Sequence, residues 1–316
     1  MTELSRAVRS HQRLSVSAII PTRDRPADLR SAVESIQRQT RLPDELLIVD
    51  QSADDKSRQG VMDYFGRTGL TIKLIYIHDT RVNGLVEAKA RGVQESNGDI
   101  VCFLEDDVVL EPDYVLNIER GFVENPALMG CSGVVTNLPE LPRYYRRLFH
   151  FFHRGIFYDA RVGVHGATQG SGLPLIRSNY LSGGLSAYRR VVFLAIPFDV
   201  ANNLFMLEDI DFSTRAVQHF GERFYINPNA RLEHHMSPLN RAVLGARQRR
   251  KLREFLVFYK KRRQADGAGA ALLLLLIGLF LEAGYQAAQA RHLSPITGYF
   301  LGLWDGVRWK LAPEPR

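Results

Sequence analysis

The N-terminal part of the chain alternates short apolar runs with amphipathic segments, and this alternation limits the fold more than any other feature of the sequence. The apolar runs predict strands at residues 16–20, 46–49, 72–77 and 100–104. An apolar stripe with the i, i+3, i+4, i+7 spacing of a helix follows the first run, at Leu29, Ala32, Val33 and Ile36. A second helix is predicted around Val86, Ala90 and Val93. Strands and helices that alternate with short links favour an α/β fold, in which helices flank a mostly parallel sheet.

Acidic side chains follow two of the predicted strands. Asp50 ends the second strand, and the run Glu105-Asp106-Asp107 follows the fourth. In open parallel sheets, ligands bind beyond the carboxyl ends of the strands. Neighbouring buried acids also repel one another unless a cation or hydrogen bonds hold them. A hard divalent metal that bridges carboxylate and diphosphate oxygens is the simplest explanation; an acidic turn without a ligand is the alternative.

The central part of the sequence is less regular. Residues 138–181 are rich in Gly, Arg and aromatic residues, and we predict long loops and irregular elements there. The arginines Arg143, Arg146 and Arg147 alternate with Tyr144, Tyr145, Phe149, Phe151 and Phe152. We interpret this stretch as a solvated, partly buried helix; a lid or a membrane-facing acceptor surface is the alternative. Residues 208–220 predict a helix, because apolar side chains repeat at four-residue spacing and Gly221 can end it.

The C-terminal part combines a cationic block with apolar segments. Residues 241–263 contain ten Lys or Arg and one acid, in a chain whose net charge is +7. Residues 268–281 carry no charge and would span roughly 21 Å as a helix, less than the roughly 30 Å hydrocarbon core of a bilayer. Residues 293–304 add Tyr299, Phe300 and Trp304, which favour the headgroup level.

These C-terminal features predict a helical membrane-associating region at an anionic surface. It would be peripheral or monotopic, or would cross the bilayer in one short span. The alternative is a basic helix and a core helix that pack on the rest of the protein. A cationic block also fits nucleic acid, but no nucleic-acid-binding module accompanies it, so we expect no nucleic acid partner.

Several short motifs occur in a defined order along the chain. They are residues 16–22, 47–50, 84–92, 103–107 and 111–114, followed by Ser182-Gly183-Gly184-Leu185-Ser186, Arg189-Arg190, Glu208-Asp209 and a His after Asn227-Pro228-Asn229. Each motif is weak alone. Their order and spacing over residues 15–236 resemble those of glycosyltransferase family 2.

The resemblance implies a GT-A fold, which is a Rossmann-like sheet extended by an acceptor-binding half. It also implies an inverting, metal-dependent transfer from a nucleotide-diphosphate sugar. We therefore expect a tail at residues 1–14 and a catalytic domain at 15–240, divided into a nucleotide-binding half (15–115) and an acceptor-binding half (116–240). The membrane-associating region would occupy residues 241–316.

The resemblance also implies roles for individual residues. Donor-binding residues would be Pro21, Thr22, Asp50, Lys89, Asp106, Gly183 and Gly184. The metal, Mn²⁺ or Mg²⁺, would be held by Asp107 and His234, with His235 as the alternate. Asp209 would be the catalytic base. The alternatives are that the acids of residues 208–211 complement a helix N-terminus, that the glycines form an ordinary turn, and that the histidine is structural.

Two departures from the family pattern concern donor recognition. Ala88-Lys89-Ala90 stands where the family commonly has Ala-Arg-Asn, and a lysine cannot form the bidentate fork of an arginine. The second is Asp50-Gln51-Ser52, which replaces a more acidic turn. Both changes affect the choice of nucleotide more than the reaction.

Taken together, these features predict an inverting glycosyltransferase that acts on a hydroxyl of a membrane-associated glycan or lipid-linked acceptor. Met1 to Leu14 is polar and contains no secretory signal, and the two cysteines fit a reducing compartment. We therefore expect the enzyme at the cytoplasmic face of the cell membrane. Two other classes are alternatives: a nucleotidyltransferase, and a non-catalytic membrane-bound interaction protein on a degenerate transferase fold.

Overall fold

The computed structural model describes residues 13–69, 71–162, 164, 172–237 and 243–313. The predicted N-terminal tail therefore lies outside the described residues except for its last two positions. The first two residues of the predicted cationic block, 241 and 242, also lie outside them.

A nine-stranded sheet lies at the centre of the described structure, in the order β3-β2-β1-β4-β8-β6-β9-β5, with β7 paired to β9. Strands β1 to β4 are parallel, whereas β8 runs antiparallel between β4 and β6. The strands are β1 (Val16–Thr22), β2 (Glu45–Asp50), β3 (Lys73–His78), β4 (Ile100–Phe103), β5 (Val108–Leu110), β6 (Gly130–Val135), β7 (Ile176–Arg177), β8 (Ser186–Arg189) and β9 (Phe224–His234). The predicted α/β fold with helices flanking a central sheet is confirmed. The sheet is mixed, because β5, β7 and β8 pair antiparallel to their neighbours.

Ten α-helices are described in addition to a short 3₁₀-helix at Gly155–Phe157. They are α1 (Pro26–Gln37), α2 (Lys56–Thr68), α3 (Leu85–Glu95), α4 (Tyr114–Glu124), α5 (Arg143–Phe152), α6 (Arg190–Ala195), α7 (Glu208–Phe220), α8 (Leu244–Arg262), α9 (Ala268–Ala290) and α10 (Ser294–Arg308). Helix α2 was not predicted from the sequence, because only its Ser57 and Val61 are buried and its apolar stripe is weak.

Both faces of the sheet are covered, as buried parallel strands require. Leu29 of α1, Val61 of α2 and Phe122 of α4 pack on one face. Val86 of α3 and Phe212 of α7 pack on the other. The strand ends that carry the predicted site residues therefore form the edge of a buried sheet. A third cluster joins α8, α9 and α10 to Phe157, Leu204 and Leu207.

The predicted apolar helix at residues 268–281 is longer than expected. Helix α9 continues past Glu282 to Ala290, and its 23 residues span about 35 Å. Glutamate is a good helix former, so Glu282 lies within the helix. Its Oε2 accepts a hydrogen bond from Lys251 Nζ of α8, at 2.6 Å. Among the described residues, α9 is the one helix long and apolar enough to cross a membrane, by length and composition alone.

Part of the predicted cationic block is neutralised inside the chain. Lys261 is buried between Asp199 and Asp211, and Lys260 Nζ donates to the carbonyl groups of Val307 and Trp309. Two further pairs are Arg249 with Asp305 and Lys251 with Glu282. These four cations bind groups of the protein itself. They therefore fit the alternative interpretation, in which the basic helix packs on the rest of the protein.

Candidate active site

Asp106 lies in the turn between β4 and β5, beside the end of β1. Thr22 Oγ1 donates to its Oδ2 at 2.8 Å, and Arg25 Nη1 donates to its Oδ1 at 3.0 Å. Burial raises the pKa of Asp106 to about 6, although Thr22 and Arg25 oppose this shift. The predicted donor residues Thr22 and Asp106 are therefore brought together, and Pro21 precedes them on the same buried strand end.

Asp107 and Glu105 converge on His234, the last residue of β9. His234 Nε2 lies 2.9 Å from Glu105 Oε2 and 3.0 Å from Asp107 Oδ1. The Ser237 amide donates to Asp107 Oδ2 at 2.8 Å. Burial disfavours the charge of Asp107, yet His234 and this amide lower its pKa to about 2. Asp107 and Glu105 in turn raise the pKa of His234 to about 10.

These three side chains fit a divalent cation. One ligand atom from each of Glu105, Asp107 and His234 lies within 4.8 Å of the other two. His234 Nε2 is buried and has no hydrogen bond of ordinary geometry among the described residues, although two carboxylate oxygens surround it. A set of two carboxylates and one imidazole suits Mn²⁺ at least as well as Mg²⁺, which prefers oxygen ligands. The alternate, His235, instead directs its Nε2 to Glu233 Oε2 at 2.9 Å and is largely exposed.

Asp50 is fully buried at the end of β2, and both of its carboxylate oxygens accept hydrogen bonds. Tyr76 Oη donates to Oδ2 at 2.6 Å, and the Ser52 amide donates to Oδ1 at 2.8 Å. These partners fix the turn that follows β2. Contact between Asp50 and a nucleotide base stays a prediction.

Lys89 projects from α3 into the protein interior. Its Nζ forms an ion pair with Glu208 and donates to the Gly183 carbonyl at 2.9 Å. Burial raises the pKa of Glu208, and Lys89 opposes this shift. Lys89 thus joins α3, the Gly183-Gly184 turn and α7, while its predicted contact with the donor stays a prediction.

The two glycines of this turn make room for acidic side chains. A Cβ at Gly183 would overlap Glu208, and a Cβ at Gly184 would overlap Glu105. The Glu105 amide also donates to the Gly184 carbonyl at 3.1 Å. The turn therefore lies between the first acidic run, residues 105–107, and the second, which begins α7.

Asp209 occupies the first turn of α7 and is held from two sides. Its Oδ1 accepts a hydrogen bond from the Ile210 amide at 2.8 Å, and its Oδ2 forms an ion pair with Arg161. Arg161 also binds Asp159 with two nitrogens, at 2.7 and 2.9 Å. The neighbouring carboxylates raise the pKa of Arg161 despite its burial, so its charge is permanent.

Three residues of the site were missed by the sequence analysis as site members. Arg25 and Arg161 hold predicted acids, and Glu105 adds a third potential ligand to Asp107 and His234. The sequence did contain a signal for two of them. Glu105 belongs to the acidic run, and Arg25 follows β1 at the edge of the sheet where ligands bind. Arg161 had none, because it lies in the irregular segment 48 residues before its partner.

A cavity of about 950 Å³ lies away from these acids, between α4, β9 and residues 172–175. Asn117, Asn227 and Asn229 line it, and each of them donates a side-chain hydrogen bond to a backbone carbonyl. These amides therefore fix the local backbone.

The acids lie at the carboxyl ends of parallel strands, which is where ligands bind in open α/β sheets. The family model "Glycosyl transferase family 2" matches residues 17–195, more than half of the chain. The chain therefore belongs to glycosyl transferase family 2 and is a glycosyltransferase. The expected family and GT-A fold class are confirmed.

Two kinds of relative accompany this match. A glucosyl-dolichyl phosphate glucuronosyltransferase of Haloferax volcanii is 25% identical over 230 residues, which cover 70% of this chain and 69% of the relative. The structure of mannosyltransferase PcManGT from Pyrobaculum calidifontis in complex with GDP-Man and Mn²⁺ has a TM-score of 0.59 at 16% identity, covering 92% of this chain and 85% of the other.

A further solved structure is similar over a smaller part of the chain. The glucosyl-3-phosphoglycerate synthase from Mycobacterium tuberculosis, in complex with Mn²⁺, UDP-glucose and glycerol 3-phosphate, has a TM-score of 0.52 at 18% identity. It covers 77% of this chain and 79% of the other. At these identities, the two structural similarities establish the fold.

Proposed function

We propose that the enzyme transfers a sugar, with inversion, from a nucleotide-diphosphate donor to a hydroxyl of a lipid-linked acceptor. The observation that carries this proposal is the convergence of Glu105, Asp107 and His234 within 4.8 Å at the donor edge of the sheet. Asp106, with Thr22 and Arg25, lies beside them. This edge is where a nucleotide diphosphate binds in sheets of this type.

A divalent cation, Mn²⁺ or Mg²⁺, would be held by Asp107 and His234, with Glu105 as a third ligand. When bound, it offsets the negative charge that builds on the departing diphosphate. The chain prepares this site in two ways. The Ser237 amide fixes Asp107 through Oδ2, so Oδ1 faces His234. Arg25 lies 3.0 Å from Asp106 and 3.7 Å from Asp107, and it reduces the repulsion between these acids.

Asp209 would accept the proton of the acceptor hydroxyl as that oxygen attacks the anomeric carbon. A carboxylate offers about four lone-pair directions, so Asp209 can accept this proton while it still binds Arg161 and the Ile210 amide. Arg161 orients Asp209, and Asp159 balances the charge of Arg161. A single displacement, in which the acceptor attacks the face opposite the diphosphate, inverts the anomeric centre.

A lipid-linked acceptor is supported by one relative and by the C-terminal helices. The name of the Haloferax volcanii relative specifies an acceptor on dolichyl phosphate. In this chain, α9 is long and strongly apolar. Residues 15–240 would then be the catalytic domain, and residues 241–316 would hold it at the cytoplasmic face of the membrane. Membership of a glycosyltransferase family supports neither the nucleotidyltransferase nor the non-catalytic alternative.

The direct test is thermal stabilisation of the purified chain by a panel of nucleoside diphosphates, with and without Mn²⁺. We expect one nucleotide to stabilise the protein only when the metal is present, by about 2.7 kcal/mol at a ligand concentration 100 times Kd. Asp107→Ala should abolish the shift. Asp63→Ala, an exposed acid on α2, is the matched control and should retain it. A folded protein that responds to no nucleotide would refute the proposal.

A further inference from the structure

Helix α5 has two chemically distinct sides and no buried residue. Tyr144, Leu148 and Phe151 follow one another at i, i+4 and i+7, so they share one side of the helix. All three are exposed, Tyr144 to 73%. Arg143 and Arg147 lie next to this stripe, one position before Tyr144 and Leu148. An exposed apolar stripe bordered by arginines is typical of a helix that lies at a membrane surface.

Helices α9 and α10 expose similar stripes. The α9 stripe includes Leu273, Ile277 and Leu281, and Leu273 is 62% exposed. The α10 stripe is Phe300, Trp304 and Val307. The guanidinium of Arg308 lies 3.7 Å from the centre of the Trp304 ring, so a cation borders this stripe as well.

The three stripes belong to one continuous surface. Gly278 of α9 packs against Phe152 of α5, and Phe280 of α9 contacts Phe300 of α10 with ring centres 6.1 Å apart. On an α-helix, these two positions of α9 lie on either side of Ile277 and Leu281. Helices α5 and α10 therefore flank the exposed stripe of α9. We call the three stripes together the contact surface.

The side of α9 opposite this stripe packs along α8. Lys251 of α8 binds Glu282 in the second half of α9, and Leu252 and Leu275 belong to the same apolar cluster. Helix α8 is in turn fixed to the catalytic helix α7, because Lys261 binds Asp211. If α9 crossed the hydrocarbon core, the cations of α8 and α5 would have to enter it as well, at a cost of several kcal/mol per charge.

We propose that α5, α9 and α10 lie flat on an anionic lipid bilayer through the contact surface, and that α9 does not cross the membrane. The apolar stripes would enter the boundary between headgroups and acyl chains, and Arg143, Arg147 and Arg308 would face anionic headgroups. Helix α5 lies near the site, since His150 Nε2 is 3.2 Å from the carbonyl oxygen of Asp159, whose side chain Arg161 binds. A role of the contact surface in presenting an acceptor rests on the proposed function. Lipid binding by the contact surface does not depend on that function.

The first test measures binding of the full chain to vesicles of phosphatidylcholine, with and without phosphatidylglycerol, in the absence of donor. We expect binding only when the anionic lipid is present. The double variant Arg143→Glu/Arg147→Glu and the triple variant Tyr144→Ser/Leu148→Ser/Phe151→Ser should each bind at least about tenfold more weakly. Leu194→Ser is the control, because Leu194 is 79% exposed on α6 and lies outside the contact surface.

The outcomes separate the two proposals. Thermal melts must first show that both α5 variants are folded. If both then bind vesicles as tightly as the wild type, the proposed contact surface is wrong. A dimer in solution that binds no vesicles would also overturn it, since a second copy would then cover these helices. Vesicle binding without any nucleotide-dependent stabilisation would instead refute only the proposed transferase site.

The second test decides the orientation of α9. Cys102 and Cys131 are fully buried, so a single added cysteine can be labelled selectively. Ala265, three residues before α9 begins, and Gln289, one residue before it ends, are both exposed and are each replaced by cysteine. In sealed membrane vesicles, an impermeant maleimide should label both variants from the same side. Labelling from opposite sides would show that α9 crosses the bilayer.

Discussion

The chain has two short acidic runs on either side of the Gly183-Gly184 turn, and they are neutralised in different ways. In the second run, each acid is paired with a basic side chain: Lys89 for Glu208, Arg161 for Asp209, and Lys261 with Arg215 for Asp211. Arg161 also binds Asp159, and Lys261 also binds Asp199. In the first run, Glu105, Asp106 and Asp107 share Arg25 and His234 among the described residues.

This difference separates a binding site from a supporting framework. Where every acid has a close basic partner, the ion pairs fix the positions of helices. In the first run, Glu105 and Asp107 converge on the same imidazole, that of His234, and these three side chains together can bind a divalent cation. Asp209 does not fit this division. It is paired like the other acids of the second run, yet the proposed function expects it to react.

The largest effect is expected from Asp209→Asn. The amide keeps the shape of the side chain and can still accept a hydrogen bond from Arg161, but it cannot accept the acceptor's proton. We expect kcat to fall by roughly 10²–10⁴-fold, while the Kd of the nucleoside diphosphate changes little. If the variant keeps activity within tenfold of the wild type, Asp209 is not the base and has a structural role, like Glu208 and Asp211.

The next effect concerns stability. Lys89→Met leaves Glu208 buried without its cation and should lower the free energy of unfolding by about 3–5 kcal/mol, measured by urea denaturation. Arg91→Met is the matched control on the same helix, because its exposed pair with Glu95 contributes only about 0.3–0.5 kcal/mol. A stable Lys89→Met protein that loses donor binding would instead favour the predicted role of Lys89 at the donor phosphates.

A third prediction uses pH to probe the first run. In the metal-free protein, the raised pKa of His234 means that its pairing stabilises the fold fully below pH 6.5, and that this contribution is lost as the pH rises through about 10. A cation that binds Nε2 must displace this proton. Mn²⁺ affinity, measured by calorimetry, should therefore rise about tenfold per pH unit below pH 10.

Substitutions at the two adjacent histidines test this prediction. His234→Asn should remove most of the pH dependence and weaken Mn²⁺ binding. His235→Asn should keep the wild-type pH dependence, since its side chain binds Glu233 and lies away from Asp107. If His235→Asn removes the pH dependence and His234→Asn keeps it, His235 is the metal ligand.

The smallest effect is expected from Arg161→Lys, which keeps the charge but loses the fork that binds Asp159 and Asp209 together. Loss of one hydrogen bond to a charged group costs about 1.5 kcal/mol, which corresponds to roughly tenfold in kcat if Asp209 is misoriented. The donor KM should not change. A fall in stability without a change in kcat would give Arg161 a purely structural role.

The sequence predicts the first half of the sheet and α7 well, because these elements depend on local periodicity. The stripe at Leu29, Ala32, Val33 and Ile36 is buried as expected, and α7 has the predicted bounds. The helix α2 shows the limit of this approach. It lies at the outside of the molecule, so few of its residues are apolar and the periodic signal is faint.

The candidate site is only partly visible in the sequence. The order of motifs leads to Asp106, Asp107, Asp209 and His234, whose roles stay predictions. It cannot show which cation reaches which acid, since Lys89 and Glu208 lie 119 residues apart. The same limit explains the cationic block. Its composition indicates a charged surface, whereas several of its members bind acids and carbonyl groups brought near by the fold.

The buried pair of Lys261 and Asp211 has a consequence for how the protein is made. A chain leaves the ribosome from its N-terminus, so α7 is synthesised before the lysine that neutralises it. Until α8 emerges, Asp199 and Asp211 lack this counter-ion, and Leu204 and Leu207 lack the apolar residues of α8 that cover them. Asp211, two residues after the proposed base, therefore gains this counter-ion only once residue 261 has been translated, so a product that ends before α8 would leave α7 without this buried ion pair.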